Sequence, residues 1–265
     1  MNQCPTILGI VNITRDSFSD GGRCLEKDAA VAQSDALMTQ GADAIDLGAA
    51  ASNPDAESVP PELEIARLHP VVEHLRASGT PISIDSFATP TQRWALEQSV
   101  DYLNDIHGFA DSTFYDELAS ASCKLIVMHS VQAAGAATRV RSDPDTIYDR
   151  ITRFFEARLT CLLDAGVARS RLILDPGMGF FLGDRPEVSM RVLHALPDLR
   201  KHFELPLLIS VSRKSFLGAL TGAPVAERGV ATLVAELYAL KQGASYIRTH
   251  DARLRQFLAG SLADR

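Results

Sequence analysis

The chain has no CxxC pair, no GxGxxG turn, no long apolar run and no surplus of basic residues. The four cysteines, Cys4, Cys24, Cys123 and Cys161, are scattered, so neither a disulfide framework nor a zinc ribbon can be assembled from neighbouring pairs. Reduced thiols and a cytoplasmic location are the expectation. Without GxGxxG, a doubly wound dinucleotide fold loses its main signature. No apolar run reaches the ~18 residues of a membrane span. The N-terminus has no basic segment leading into an apolar stretch, so no secretory signal is expected. The formal net charge of −7 argues against non-specific nucleic-acid binding. An anionic ligand would have to be drawn by a local cluster of cations and N–H groups.

What is present is a repeated alternation. Short Ile/Val/Leu-rich runs at 7–13, 44–48, 81–85, 102–106, 124–129, 172–175, 206–212 and 246–249 read as strands. Amphipathic segments at 27–40, 61–77, 90–98, 112–121, 144–165, 186–202, 226–242 and 252–262 read as helices. Gly41, Gly79, Gly166 and Gly243 each follow a helical segment, where a left-handed residue would stop it. Strands that alternate with helices imply parallel pairing. Eight such units in 265 residues fit an α/β (βα)8 TIM barrel, one domain over 1–265. An open doubly wound sheet is the weaker alternative.

Active sites of such barrels lie at the C-terminal ends of the strands. Those ends read Asn12, Asp46, Asp85, Asn104 with Asp105, His129, Asp175, Arg213 with Lys214, and Arg248 with His250. A carboxylate at a buried strand end is costly unless it has a partner. Each residue alone could cap a helix or close a turn, but eight together point to a ligand. The array divides into two chemical halves. Asp85, Asn104, Asp175 and Lys214 suit a flat heterocycle, because a carboxylate accepts two parallel N–H donors and an amide both donates and accepts. Arg213, Arg248 and His250 suit a phosphate, and Asn12 could offer an oxygen to a hard cation such as Mg2+. Arg248 and His250, two residues apart, share one face of a strand.

The strings IVNITRDSFSDGG, ISIDS, YLNDIHG, VMHS, LDPGMGF, SVSRKSF and IRTHD, in this order across nearly the whole chain, resemble the dihydropteroate synthases, a family of pterin-binding barrels. The resemblance implies condensation of 6-hydroxymethyl-7,8-dihydropterin diphosphate with 4-aminobenzoate, releasing pyrophosphate, with Mg2+ as cofactor. It implies that Asp85, Asn104, Met128, Asp175 and Lys214 hold the pterin. Asn12 would contact the metal and diphosphate, and Arg248 and His250 the leaving pyrophosphate. Asp85, Asp175, Lys214 and Asn12 form the implied catalytic set. Phe18, Ser52, Pro54, Phe180, Phe181 and Ser215 would border the aminobenzoate, with Asp16 and Asp20 closing the first loop. A homodimer through late barrel helices is the implied assembly, and small molecules are the only other partners expected.

Two departures matter. Where the family reads roughly GGESTRPGA after its second strand, this chain reads GAAASNPDA, so Ser52 replaces Thr and Asn53 replaces Arg. After the sixth strand the loop DPGMGFFLGDRP is longer, with Phe180 and Phe181 in tandem. Both resemble the mobile, sulfonamide-insensitive branch. The expectation is that aromatic bulk narrows the site beyond the aminobenzoate carboxylate and excludes sulfonamides. Rival readings are a methyltetrahydrofolate-binding methyltransferase domain, a non-catalytic binding barrel and a Schiff-base aldolase using Lys214.

Overall fold

Eight parallel strands alternate with helical segments: β1 (Thr6–Asn12), β2 (Ala44–Gly48), β3 (Ile82–Asp85), β4 (Tyr102–Asp105), β5 (Lys124–Met128), β6 (Leu172–Asp175), β7 (Leu208–Ile209) and β8 (Tyr246–Thr249). This is seen in a computed structural model that describes residues 4–13, 23–50, 58–132 and 139–262, the side chains of 23–26 and 259–262 excepted. The helices are α1 (Arg23–Gln40), α2 (Pro61–Ala77), α3 (Thr89–Glu97), α4 (Tyr115–Ser120), α5 (Ile147–Asp164), α6 (Pro186–His194), α7 (Leu196–Phe203), α8 (Ser215–Thr221), α9 (Gly229–Lys241) and α10 (Leu254–Leu262). The sheet runs β6-β5-β4-β3-β2-β1-β8-β7, every ladder parallel. A bridge between Leu174 and Leu207, with the Leu174 N–H donating to Pro206 O at 2.9 Å, closes it into the expected barrel. That seam is short because Pro206 has no N–H to give a ladder. Among the described residues no helix is long and apolar enough to cross a membrane.

The period-two pattern sorts the strand residues. Ile7, Ile45, Leu103, Leu125, Val127, Leu172, Leu174, Leu207, Ile209 and Ile247 join the core between sheet and helices. Leu8, Ala44, Ile126, Ile173, Leu208 and Tyr246 pack inside the barrel. Near its lower end, the Lys124 ammonium donates to Tyr246 Oη at 3.0 Å and lies over the Tyr102 and Tyr246 rings. Two residues further along β2, β4, β6, β7 and β8 the same inward face turns polar. That switch from oil to charge is what makes the upper barrel a site.

Several helix ends shift by a few residues, α1 beginning at Arg23 and α9 at Gly229, and two differences change the elements themselves. The segment expected as one helix over 186–202 breaks at Ala195, because Pro197 is accepted only in a first helical turn. A short helix after Lys214 was not anticipated; Gly222, at φ 73°, ends it. Gly41, Gly79, Gly166 and Gly243 do adopt positive φ.

Phe155 is fully buried, with its ring 5.6 Å from Phe154 and 5.5 Å from Phe203. Phe155→Ala is expected to cost about 3–5 kcal/mol, read as a lower urea midpoint at unchanged slope. A wild-type midpoint would place the ring outside the cooperative core.

Candidate functional site

The inward face carries its charges one pleat above the apolar floor. Asp46 follows Ala44, Asn104 follows Tyr102, Met128 follows Ile126, Asp175 follows Ile173 and Arg248 follows Tyr246, each two residues on. Arg248 is the centre of this layer. Its Nε is 2.5 Å from Asp46 Oδ2 and its Nη2 2.5 Å from Asp85 Oδ2. Asp46, fully inaccessible, also accepts the Ser83 hydroxyl at 2.5 Å. Here Arg248, expected in the anion half, is joined to Asp85 of the heterocycle half and to Asp46, which was assigned to neither. Two flanking carboxylates raise its pKa against the cost of burial.

Burial pushes the Asp85 carboxyl up to about 7, against the pull of Arg248 and with the added repulsion of Asp46. Asp175 is pushed to about 6 by burial, opposed by the Gly177 N–H that it accepts at 2.8 Å and by Lys214. Lys214 is pulled down to about 8 by burial and by Arg248, against Asp175 and Asp85. These mutual influences bring Asp85, Asp175, Lys214 and Arg248 into one electrostatic cluster. Asn104 completes it, its Oδ1 buried without a hydrogen-bond partner.

Local backbone geometry aims these groups. Arg213 takes a left-handed φ of 58° between β7 and α8, and the Arg228 guanidinium donates to its carbonyl at 3.0 Å. The reversal leaves Arg213 exposed and brings Lys214 against the β6 loop, 4.8 Å above the Phe181 ring. That loop turns at Gly177, φ 78°, where a Cβ would meet His129 O at 2.4 Å. Phe181 packs with Ile106 and Met128 in a small apolar cluster, and Phe180 leans on its edge. Phe181 therefore faces the Lys214 side of the mouth, while Phe180 carries the Arg139 guanidinium over its ring. The Val131 N–H donates to Phe181 O at 2.8 Å, tying this loop to the end of β5. A Cβ at Gly179 would lie 3.3 Å from Ser215 Oγ, which brings Ser215 to the same wall.

On the opposite side, Asn12 ends β1 exposed, and a Cβ at Gly48 would stand 3.6 Å from its Oδ1 and 3.7 Å from Asp85 Cβ. His250 receives support from Ser212, whose Oγ accepts the His250 N–H at 3.1 Å and meets its Nδ1 at 3.0 Å. Burial and the Arg213, Arg248 and Lys214 charges lower His250 to about 3, so it meets a ligand as neutral imidazole. His129 is buried, points Nδ1 at Pro176 O, and is held at about 4 chiefly by burial. Since a carbonyl only accepts, that Nδ1 carries the proton.

Phe18, Asp16, Asp20, Ser52 and Pro54 lie outside the described residues. Asp46 was legible as a strand end but not as the partner of Arg248. Ser83, Ser210 and Ser212 were missed; their signal was position, two residues before or after another inward residue. Among the described residues no group of three or more His, Cys, Asp or Glu could hold a metal.

The pterin binding enzyme family matches residues 8–250. Dihydropteroate synthase type-2 of Escherichia coli is 56% identical over 260 residues, 98% of this chain and 96% of its own. Dihydropteroate synthase type-1 of Pseudomonas aeruginosa is 51% identical over 92% of this chain and 88% of its own. Two solved structures superpose closely. Xanthomonas albilineans dihydropteroate synthase with 4-aminobenzoic acid has a TM-score of 0.88 at 32% identity, covering 98% of this chain and 92% of that one. The Anaplasma phagocytophilum enzyme, with bound 6-hydroxymethylpterin-monophosphate, has a TM-score of 0.83 at 32% identity over 97% and 98%. Such identity over nearly the full length decides against the methyltransferase, binding-protein and aldolase readings. The chain belongs to the pterin-binding enzymes and, among them, to the dihydropteroate synthases.

Proposed function

We propose that this dihydropteroate synthase runs its condensation at the polar layer of the barrel, in a form that sulfonamides do not inhibit. The observation that carries the assignment of the pterin is the mutual influence of Asp85, Asp175 and Lys214, with Asn104 paired beside Asp85 and its side-chain oxygen left without a partner. Ionised Asp85 and Asp175 accept the N–H edge of the aminopyrimidine, Asn104 reads its neighbour, and Met128 packs on the ring face. Arg248 and the neutral His250 receive the diphosphate as N–H donors. The bond from the pterin methylene to the diphosphate oxygen breaks, and its electron pair leaves with pyrophosphate. The methylene cation is delocalised into the pterin and steadied by the Asp175 carboxylate. The arylamine lone pair then closes the C–N bond and the nitrogen sheds a proton. No strong base is required, since a neutral arylamine is nucleophilic toward a cation.

Asn12, exposed at a strand end, would offer Mg2+ one hard side-chain oxygen, with substrate phosphate oxygens and water as the other donors such an ion takes. When bound, Mg2+ neutralises charge developing on the departing diphosphate. The free thiols of Cys4, Cys123 and Cys161 agree with a cytoplasmic enzyme.

For homodimerisation, α9 offers Val230, Val234 and Leu237, exposed apolar residues at helical spacing. Light scattering is expected to give a two-chain mass, and Val234→Glu a one-chain mass. A wild-type monomer would overturn that assembly.

The pH profile follows from the charges. Below about 6–7 Asp175 and Asp85 take up protons and lose acceptor capacity for the pterin; above about 8 Lys214 loses its charge. kcat/KM for the pterin diphosphate should therefore be bell-shaped, rising through pH 6–7 and falling beyond about 8. Fold stability runs the other way on the acid side. A carboxyl with a raised folded pKa binds more protons in the native state, so stability falls as pH climbs from the ordinary carboxylate range toward 7. A flat rate profile would remove these groups from the mechanism.

Phe181, held between Met128 and Lys214, supplies the bulk that excludes the drug. Pyrophosphate release with both substrates and Mg2+ should persist as sulfamethoxazole rises. Phe181→Ala should lower the inhibitory concentration at least tenfold. Inhibition of wild type at low drug, or no change in the variant, would sink this part of the reading.

A further inference from the structure

Ser210 follows β7 directly. Leu207, Ile209 and Val211 belong to the core outside the sheet, and Leu208 to the cluster inside it. This alternation turns Ser210 inward. Leu208 pairs with Tyr246, so two residues on Ser210 stands at the level of Arg248, between the β6 and β8 strand ends that carry Asp175 and Arg248. Ser210 is buried, and its hydroxyl oxygen has no hydrogen-bond partner. Among the described residues, six buried side-chain atoms share that condition: Glu64 Oε1, Asn104 Oδ1, Ser142 Oγ, Arg158 Nε, Ser210 Oγ and Glu236 Oε1. Four belong to helices or to a loop outside the barrel. The other two, Asn104 and Ser210, belong to the inward face of the polar layer.

A buried hydroxyl without a partner destabilises a fold, whereas a ligand that supplies the partner recovers the loss. We infer that Ser210 is a specificity-determining residue for the pterin ring, its hydroxyl pairing with the polar edge on the Asp175 side of the barrel. The inference rests on the pterin reading given above. Depth selects the ligand. Ser212, two residues nearer the mouth, is already engaged by His250, and Ser215, expected to border the aminobenzoate, is further out still. The diphosphate is met by the N–H groups of Arg248 and His250, leaving a neutral hydroxyl for the neutral heterocycle.

The test is equilibrium binding of the pterin diphosphate to the full chain, with thermal melting alongside, for wild type, Ser210→Ala and Ser210→Gly. The expected result is a Kd raised roughly three- to tenfold in both variants, the scale of one neutral hydrogen bond. KM for 4-aminobenzoate should stay at its wild-type value. The melting temperature of Ser210→Ala should hold or rise, the rise being about 2–12 °C for the usual cost of a buried unpaired hydroxyl. A lower melting temperature with unchanged Kd would make the hydroxyl purely structural and overturn the inference. Unchanged Kd in both variants, with wild type binding the pterin, overturns Ser210 alone. Failure of wild type to bind the pterin overturns the reading of the site beneath it.

Discussion

The Arg248 guanidinium lies inside the barrel between Asp46 and Asp85, within 2.5 Å of each. Removing one member of such a buried group would strand the others without compensation, which is far more costly than never burying them. The interior of the upper barrel therefore stands or falls as a set. Asp46 anchors one end of Arg248 and is itself anchored by the Ser83 hydroxyl. Asp85 is the more exposed partner of the two, and in the proposed pterin reading it is the one that exchanges its contact for an incoming N–H edge. Arg248 can then remain on Asp46 while its remaining donors meet an anion. One arginine thus links the two chemical halves that the strand ends suggested were separate.

Around that centre, each further group is tuned by what it touches. Burial alone would neutralise Asp175, but the Gly177 N–H and the Lys214 charge oppose it and leave it near the physiological range. Lys214 is lowered by burial and Arg248, and raised again by the two carboxylates. The result is a cluster in which small changes in charge, such as the arrival of a diphosphate, shift several protonation states together. His250 is tuned in the same way, since burial first and then three neighbouring cations keep its imidazole neutral.

The β6 loop sets the shape of the mouth. Gly177 passes so close to the His129 carbonyl that no side chain fits, and the Phe181 carbonyl accepts the Val131 N–H. These contacts fix the Phe181 ring under the Lys214 ammonium, beside Met128. An aromatic wall held from both sides is stiff, and a stiff wall discriminates by shape in a way that a flexible one does not.

The sequence by itself determined the barrel and its strand ends. Hydrophobic period and glycine stops are local properties, so β2, β6 and β8 fell at their expected bounds and four helix-ending glycines took positive φ. Residue type at those ends also singled out Asp85, Asn104, Asp175 and Lys214 as candidates, which the barrel gathers at its upper end. The break of the 186–202 segment at Ala195 was in principle local too, since Pro197 announces it. Three things were decided only by tertiary structure. Arg248 and Asp46 are 202 residues apart in the chain, and only the pairing of β1 with both β2 and β8 makes them partners. The choice between Phe180 and Phe181 depends on how the β6 loop packs on β5. The isolation of the Ser210 hydroxyl depends on which neighbours the closed barrel leaves without a donor or acceptor. A one-dimensional pattern can place a side chain on a face, but pairing across a barrel is a property of closure.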